Sequence, residues 1–260
     1  MGEYIRYAIE DGIAVITIDR PERRNAMSYP VLADFHDAVS RAGGDSEVRA
    51  VVITGAGGAF CAGTDLSDLA DTPTSERGGR SGADERPSGW ALQQCPKPVV
   101  AAVDGPAVGM GAEFTTQCDV RIASTRARFA WNFVHRGLVP DTGAGSWLLP
   151  RQIGLSAALR LVLSGEFISA EQALDLGYVT AVVQPDELLR AATEEARRLS
   201  RGSPFAARLA KELIYRGLER GIADHLTHTR DAMSACFASE DHKEGVAAFL
   251  ERREARFVGR

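Results

Sequence analysis

The chain has 260 residues, of which 45% are hydrophobic and 25% are charged, a composition ordinary for a globular protein with a sizeable core. Its formal net charge of −5 and its isoelectric point near 5.6 argue against a general nucleic-acid-binding protein, whose surface is basic. No apolar run approaches the ~20 residues of a membrane-spanning helix. The N-terminus lacks the apolar core of a secretory signal, so we expect a cytoplasmic protein.

The first quarter of the chain predicts a hairpin, a helix and a buried strand. Residues 5–10 and 13–19 flank Asp11-Gly12, a turn signal typical of β-hairpins. Apolar residues recur at helical spacing over residues 29–41. The continuous apolar run over residues 48–54 is typical of a strand in a parallel sheet that is covered on both faces.

A glycine-rich loop follows this strand, and a second one follows the next predicted strand, within residues 97–119. The second loop is expected to open a helix at Gly109-Met110-Gly111, with Glu113 in its first turn. A helix N-terminus gathers unpaired N–H groups and partial positive charge, so it can stabilise an oxyanion. Because Met110 and Glu113 are three residues apart, they share one helical face. We therefore predict carbonyl or thioester polarisation beside an acid/base group.

The two loops do not match the nucleotide-binding fingerprint G-x-G-x-x-G, and the chain has no phosphate-binding G-x-x-x-x-G-K-[ST] and no G-x-S-x-G nucleophile elbow. On adjacent parallel strands, both loops would face one crevice, where two backbone amides form the simplest oxyanion hole. The alternative is that these glycines only make turns. Between the loops, the polar segment 71–89 predicts a loop or lid.

The second half of the chain changes from mixed structure to helices alone. Residues 129–141 are expected to be irregular, residues 178–184 to form a last strand, and Ser169 to cap a short helix with Gln172. The remaining predicted helices cover residues 142–150, 155–164, 186–200, 204–217, 221–237 and 240–251. This order predicts an α/β core over residues 1–184 and a helical region over residues 185–260. The four scattered cysteines are expected to be reduced, mostly buried thiols.

The sequence resembles the crotonase superfamily, the enoyl-CoA hydratase/isomerase family, in motifs that run in order along nearly the whole chain. The matching segments are residues 23–27, 59–66, 97–99, 104–113, 118–119, 137–143, 149–151, 170–173, 176–177 and 248–253. The resemblance implies a crotonase-like ββα spiral core that holds an acyl-CoA site. It also implies a C-terminal helical region that packs chains into homotrimers or hexamers. Coenzyme A would enter as part of the substrate, with no other cofactor, metal, nucleic acid or membrane involved.

The family's site residues can be carried onto this chain one by one. The resemblance implies that the N–H groups of Thr64 and Met110 form the oxyanion hole for a thioester enolate. Contacts with coenzyme A or the acyl group are implied for Arg24, Ala26, Ala62, Asp65, Leu66, Gly109, Phe133 and Phe249.

The catalytic carboxylates depart from the family's pattern. Glu113 matches the first of the two glutamates that family hydratases use, whereas the second aligns with Phe133, which cannot move a proton. Asp141 is the replacement candidate, because some family isomerases and dehalogenases place an aspartate there. The alternatives are that Asp141 caps the helix near Thr142 and that Glu113 is a surface carboxylate.

Three functions remain open at this point. The leading one is enoyl-CoA hydration or double-bond isomerisation through a thioester enolate. The chain would alternatively be an acyl-CoA-binding protein without catalysis, since one family glutamate is missing. A third reading is another crotonase reaction, such as a dehalogenation with Asp141 as nucleophile.

Overall fold

The computed structural model describes residues 2–65, 67 and 89–260. Leu66 and nearly all of the loop predicted over residues 71–89 lie outside the described residues. The strands of the described part are β1 (Ile5–Glu10), β2 (Ile13–Ile18), β3 (Ala50–Gly55), β4 (Val99–Val103), β5 (Pro106–Val108), β6 (Val120–Ser124), β7 (Arg128–Ala130), β8 (Ile168–Ser169) and β9 (Ala181–Val183).

These strands form two sheets within the described residues. The larger sheet has the order β1-β2-β3-β4-β6-β9, in which β1 and β2 are antiparallel and every other pair is parallel. The smaller sheet has the order β5-β7-β8. All three strands of the smaller sheet were absent from the sequence-based prediction, because two or three residues are too few to show an alternating pattern. The expectation that residues 129–141 are wholly irregular was therefore wrong, since they include the end of β7 and a 3₁₀ turn over Asn132–Arg136.

The helices of the described part follow the predicted spans closely. They are α1 (Tyr29–Gly44), α2 (Ala91–Gln94), α3 (Met110–Gln117), α4 (Ala144–Trp147), α5 (Leu149–Ile153), α6 (Leu155–Ser164), α7 (Ala170–Asp175), α8 (Leu188–Leu199), α9 (Pro204–Gly217), α10 (Ile222–Ala238) and α11 (Glu240–Glu251). The capping box of Ser169 and Gln172 at the start of α7 is confirmed. Of the described helices, none is both long and apolar enough to cross a membrane.

The large sheet is covered on both faces, as the continuous apolar run in β3 predicted. Side chains alternate along β3, so Val51 and Ile53 face a core that includes α1 and α3, while Val52 faces the second core. Leu188, Ala192 and Ala196 of α8 cover that second face. The division of the chain at residue 184 stays a prediction, and the first helix after it packs on the sheet.

The following helices leave much apolar surface exposed. No residue of α9 or α10 is buried. Lys211 fastens α9 to the core, since its Nζ donates to Asp119 Oδ2 at 2.7 Å and to the Lys97 carbonyl at 3.0 Å. All four cysteines are free, and Cys236 is the one that is not buried, which confirms the prediction of reduced, mostly buried thiols.

Candidate active site

The two glycine-rich loops meet at one edge of the large sheet. The first loop follows β3, and the second follows the short strand β5, which comes directly after β4, the parallel neighbour of β3. The Val108 N–H donates to the Cys61 carbonyl at 2.9 Å, which joins one loop to the other. A Cβ on Gly63 would lie 2.8 Å from the Val108 oxygen and 3.5 Å from the Met110 nitrogen, at a φ of +95°. Glycine at position 63 is therefore what allows the backbones to approach so closely.

Where the loops meet, the N–H groups of Thr64 and Met110 have no hydrogen-bond partner among the described residues. Thr64 forms a parallel bridge with Met27, but the bridge uses the Gly63 carbonyl and the Asp65 N–H, so Thr64 N–H takes no part in it. Met110 is the first residue of α3, where N–H groups have no partner within the helix. Neither N–H donates a hydrogen bond to any residue within 2–65, 67 and 89–260. The arrangement suits a carbonyl oxygen that gains negative charge.

Glu113 is fully buried, so the alternative of a surface carboxylate was wrong. Its Oε2 accepts hydrogen bonds from the Thr142 hydroxyl, from Thr142 N–H at 3.2 Å and from Ala144 N–H at 3.1 Å. Its Oε1 accepts from Gly145 N–H at 2.5 Å. Burial raises the pKa of Glu113 to about 7, the Thr142 hydrogen bond opposes this shift, and the charge of Asp141 adds to it.

Asp141 lies close enough to Glu113 to influence its pKa. The residue as a whole is exposed, yet the atoms packed around its carboxyl raise its pKa to about 6, mainly by desolvation. Its charge also raises the pKa of the Cys61 thiol, although burial has the larger effect. Gly143, not Asp141, is the N-cap of α4, which rules out the capping alternative. Two acidic groups with raised pKa values thus lie together, a pattern concentrated at catalytic sites.

Phe133 brings an apolar ring to the turn that opens α3. The side chain is buried, and a Cβ on Gly109 would lie 3.9 Å from Phe133 Cζ. Gly109 itself has a φ of +53° and a ψ of −120°. The structure therefore places a hydrocarbon wall, and no carboxylate, at the position where the family pattern has its second glutamate.

The predicted coenzyme A contacts are brought together in part. Arg24 is exposed, and its carbonyl accepts from Ala62 N–H at 3.0 Å, while Ala26 is buried in the same turn. The buried carboxylate of Asp65 accepts from Arg20 Nη1 at 2.7 Å and from the Ser67 hydroxyl at 2.6 Å, so it holds the first loop in place.

Phe249 is remote from these residues in sequence and lies on α11. It is 83% exposed and lines a cavity of about 390 Å³ among the C-terminal helices. No other predicted site residue lines that cavity. Leu66 lies outside the described residues. The roles given to these residues stay predictions.

Three residues at the site had no predicted role. Asn25 is fully buried, and its Nδ2 donates to the carbonyls of Ala56 at 2.9 Å and Ala59 at 2.6 Å, which ties the 20–26 turn to the first loop. Its φ is +59°, a left-handed conformation that asparagine adopts more readily than most residues. The residue type is therefore a weak sequence signal for such a role. Gln117 and Thr142 join Glu113 in one hydrogen-bond network, and their separation of 25 residues conceals this in the sequence.

Comparison with known proteins agrees with this geometry. The family model of Enoyl-CoA hydratase/isomerase matches residues 8–260. The chain is 38% identical to the Short-chain-enoyl-CoA hydratase of Clostridium acetobutylicum over 94% of both chains. It is 36% identical to the 1,2-epoxyphenylacetyl-CoA isomerase of Escherichia coli over 100% of both chains.

Solved structures show the same fold. An enoyl-CoA hydratase from Bacillus anthracis superposes with a TM-score of 0.91 at 30% identity, over 99% of this chain and 100% of that one. The match of the family model over nearly the whole chain, with full-length relatives above 30% identity, leads to one conclusion. This chain belongs to the enoyl-CoA hydratase/isomerase family and has the crotonase fold.

Proposed function

We propose that this protein hydrates or isomerises the double bond of an enoyl-CoA thioester. The observation that carries the proposal is the pair of unpaired N–H groups of Thr64 and Met110 beside two carboxyl groups of raised pKa, Glu113 and Asp141. The two amides would hold the thioester oxygen and stabilise the enolate that forms when a proton leaves the α-carbon of a 3-enoyl-CoA or when the oxygen of water adds to the β-carbon of a 2-enoyl-CoA. The carboxyls would move the proton.

Both reactions use the same enolate but different proton carriers. Isomerisation of a 3-enoyl-CoA needs one carboxylate, which removes a proton from the α-carbon and returns it to the γ-carbon, with no net change in charge. Hydration needs water to add at the β-carbon, with one proton taken from the water and one delivered to the α-carbon. Asp141 is the exposed member of the pair and suits the single carboxylate of the isomerisation. The buried Glu113 is the carboxylate that the chain shares with the hydratase pattern.

The apolar side chain of Phe133 favours isomerisation among these reactions. A second glutamate is replaced there by a buried ring next to Gly109. The relatives named above include both a hydratase and an isomerase. The same replacement also supports a second candidate, an acyl-CoA-binding protein that does not turn its ligand over.

An activity screen separates these candidates. Hydration of a 2-enoyl-CoA destroys the conjugated chromophore, whereas isomerisation of a 3-enoyl-CoA creates it, so absorbance distinguishes the two reactions. We expect turnover of at least one class. Calorimetry with a saturated acyl-CoA measures binding alone. Tight binding of that ligand, without turnover of any 2- or 3-enoyl-CoA, would favour the non-catalytic candidate.

We also propose that the chain assembles into a homotrimer or a hexamer of two trimers. The support comes from the C-terminal helices, whose exposed large apolar side chains are too many for a surface in water. These are Ile214, Leu218, Ile222, Leu226, Met233, Phe237, Val246, Phe249 and Leu250. Contact with further copies of the chain would remove them from water.

A further inference from the structure

The hydroxyl of Thr142 has a fixed direction. A threonine hydroxyl has one proton and two lone pairs. Gln117 Nε2 and Ala144 N–H each lie 3.3 Å from Thr142 Oγ1, and the Ala144 N–H is shared with Glu113 Oε2 at 3.1 Å. Both neighbours are donors, so neither can accept the hydroxyl proton and both face lone pairs of the hydroxyl oxygen. The hydroxyl proton therefore points to the remaining neighbour, Oε2 of Glu113.

Gln117 is held so that its amide nitrogen faces Thr142. The residue is buried, and Nε2 also donates to the Gly89 carbonyl at 2.7 Å. Of the two side-chain amide atoms of Gln117, only the nitrogen can donate to a carbonyl oxygen. Its two protons are donated to the Gly89 carbonyl and to Thr142 Oγ1. Gln117 lies one helical turn beyond Glu113 on α3, so one rigid helix carries both ends of the network.

The two oxygens of Glu113 are unequal as a result. An ionised carboxylate oxygen offers about two lone-pair sites. Among the described residues, Oε2 accepts from the Thr142 hydroxyl and Thr142 N–H and shares the Ala144 N–H with Thr142 Oγ1, whereas Oε1 accepts from Gly145 N–H alone. Oε1 therefore keeps acceptor capacity that Oε2 has lost.

We propose that Thr142 is a positioning residue. Its hydroxyl keeps Oε2 of Glu113 in hydrogen bonds within the protein. Oε1 is then the oxygen that exchanges a proton with the substrate. Gln117 supports this role because it fixes the direction of the hydroxyl. The inference rests on the proposed function, since it concerns the acid/base group of that reaction. No motif used to recognise the family includes Gln117.

The proposal has a consequence for the acidity of Glu113. Among the described residues, Asp141, in the turn before α4, is the titratable group whose charge acts on Glu113. The thiol of Cys61 lies next to Gly111 of α3, and its pKa of about 12 keeps it neutral. Removal of one hydrogen-bond donor to a carboxylate disfavours the charged form, so the pKa rises. We expect a rise of about one pKa unit from the loss of the hydroxyl.

The test is a carboxyl titration by NMR of protein labelled with ¹³Cδ-glutamate, with the Glu113 signal assigned through Glu113→Gln. Thr142→Val removes the hydroxyl and keeps the size and the N–H group of the residue. We expect its Glu113 midpoint about one pH unit above that of the wild type. Thr142→Ser should restore the wild-type midpoint. The matched control is Ser146→Ala, because the Ser146 hydroxyl donates to the Gly143 carbonyl at 3.1 Å in the same turn and does not reach Glu113.

The pH dependence of turnover gives the second readout. In Thr142→Val the acid limb of kcat should move upward with the Glu113 midpoint while KM changes less than about twofold. A merely structural role would lower Tm and leave both midpoints in place. If Thr142→Val does not fold, Gln117→Leu frees one lone pair of the hydroxyl, and the Glu113 midpoint should again rise.

The two proposals fail in different ways. An active wild type with an unchanged Glu113 midpoint in the folded variant would overturn the role of Thr142 alone. A wild type without turnover of any enoyl-CoA would overturn the proposed function, and with it the proton exchange at Oε1.

Discussion

At the scale of single residues, the carboxyl groups of Glu113 and Asp141 differ most from their behaviour in water. Ordinary glutamate and aspartate side chains titrate near pH ~4. Burial raises the pKa of Glu113 to about 7 and that of Asp141 to about 6. A group that must both take and give a proton near neutral pH works best when its pKa lies near the operating pH.

Substitution of either carboxyl should abolish most of the activity. We expect Glu113→Gln and Asp141→Asn each to lower kcat by at least ~10²-fold, because a general acid/base group contributes at least that much. The control is Asp175→Asn, which changes an exposed carboxylate at the end of α7. Steady-state kinetics with 2- and 3-enoyl-CoA provide the measurement. Turnover like that of the wild type in both variants would show that the pair is not catalytic.

The pH profile should report the same pair. A carboxylate acting as a base must be ionised, so kcat/KM should fall as the pH is lowered, with apparent midpoints between about 6 and 7. The two groups interact, so these midpoints belong to the pair. A profile that stays flat down to about pH 5 would mean that ordinary carboxyls, or none, carry the proton.

The positions of the candidate catalytic groups could be predicted from the sequence, but the contacts that hold them could not. The placement of Glu113 and Met110 was predictable, because both lie in the first turn of a helix whose start is indicated by Gly109 and Gly111. The hydrogen bond between the Thr142 hydroxyl and Glu113 was not predictable, because the two residues are 29 positions apart and meet only in the folded chain. Asn25 lies in a segment that matches the family, but its two hydrogen bonds to the first loop could not be predicted because they form across more than 30 residues.

At the scale of elements, the helix α3 and the loops around it form one unit with the large sheet. The long helices and the apolar strands were predictable from their periodicity and their caps. The short strands β5, β7 and β8 were not, because pairing with one another, and not local sequence, defines them. Their pairing matters, since β5 leads directly into Gly109 and Met110.

The C-terminal tail is a further element fixed by a buried carboxylate. Asp241 on α11 accepts from the Ser203 hydroxyl at 2.5 Å, from Val258 N–H at 2.7 Å and from Gly259 N–H at 3.0 Å. Arg49 donates to the Phe257 carbonyl at 3.2 Å on the same tail. Burial alone would raise the pKa of Asp241, but these hydrogen bonds outweigh it and lower the pKa.

Loss of the Asp241 carboxylate should destabilise the protein in a pH-dependent way. Because the folded-state pKa lies below the unfolded value of ~3.9, its contribution is present above that pH and is lost as the pH falls through the folded-state pKa. We expect Asp241→Asn to lower the free energy of unfolding by about 2–3 kcal/mol at neutral pH and by less below about pH 4. Urea unfolding at several pH values measures both. A penalty that did not shrink at acid pH would exclude this ionic role.

At the scale of the whole molecule, the α/β core buries most of its apolar residues, whereas α9 and α10 bury none of theirs. Ile222 is 73% exposed and Phe237 is 60% exposed on α10, a helix without a buried residue. The helical nature of this region was predictable from its pattern. The partner of its apolar surface was suggested only by the resemblance to a family of trimers, because the pattern of one chain does not specify what covers it.

A charge on this surface should prevent assembly. We expect the wild type to have the mass of a trimer or hexamer by light scattering, and Phe237→Glu to shift toward the monomer because a buried unpaired carboxylate is costly. The control is Glu219→Ala, which removes a charge from the exposed turn between α9 and α10. A wild type that is monomeric at all concentrations would contradict the proposed assembly.

The most direct test of the central claim is a crystal structure with a bound acyl-CoA. We predict that the thioester oxygen lies about 2.7–3.1 Å from both the Thr64 and the Met110 nitrogen atoms. We also predict that a carboxyl oxygen of Glu113 or Asp141 lies within about 3.5 Å of the α- or γ-carbon, the distance of a near-attack geometry. A thioester bound elsewhere, or one whose oxygen meets neither nitrogen, would contradict the account.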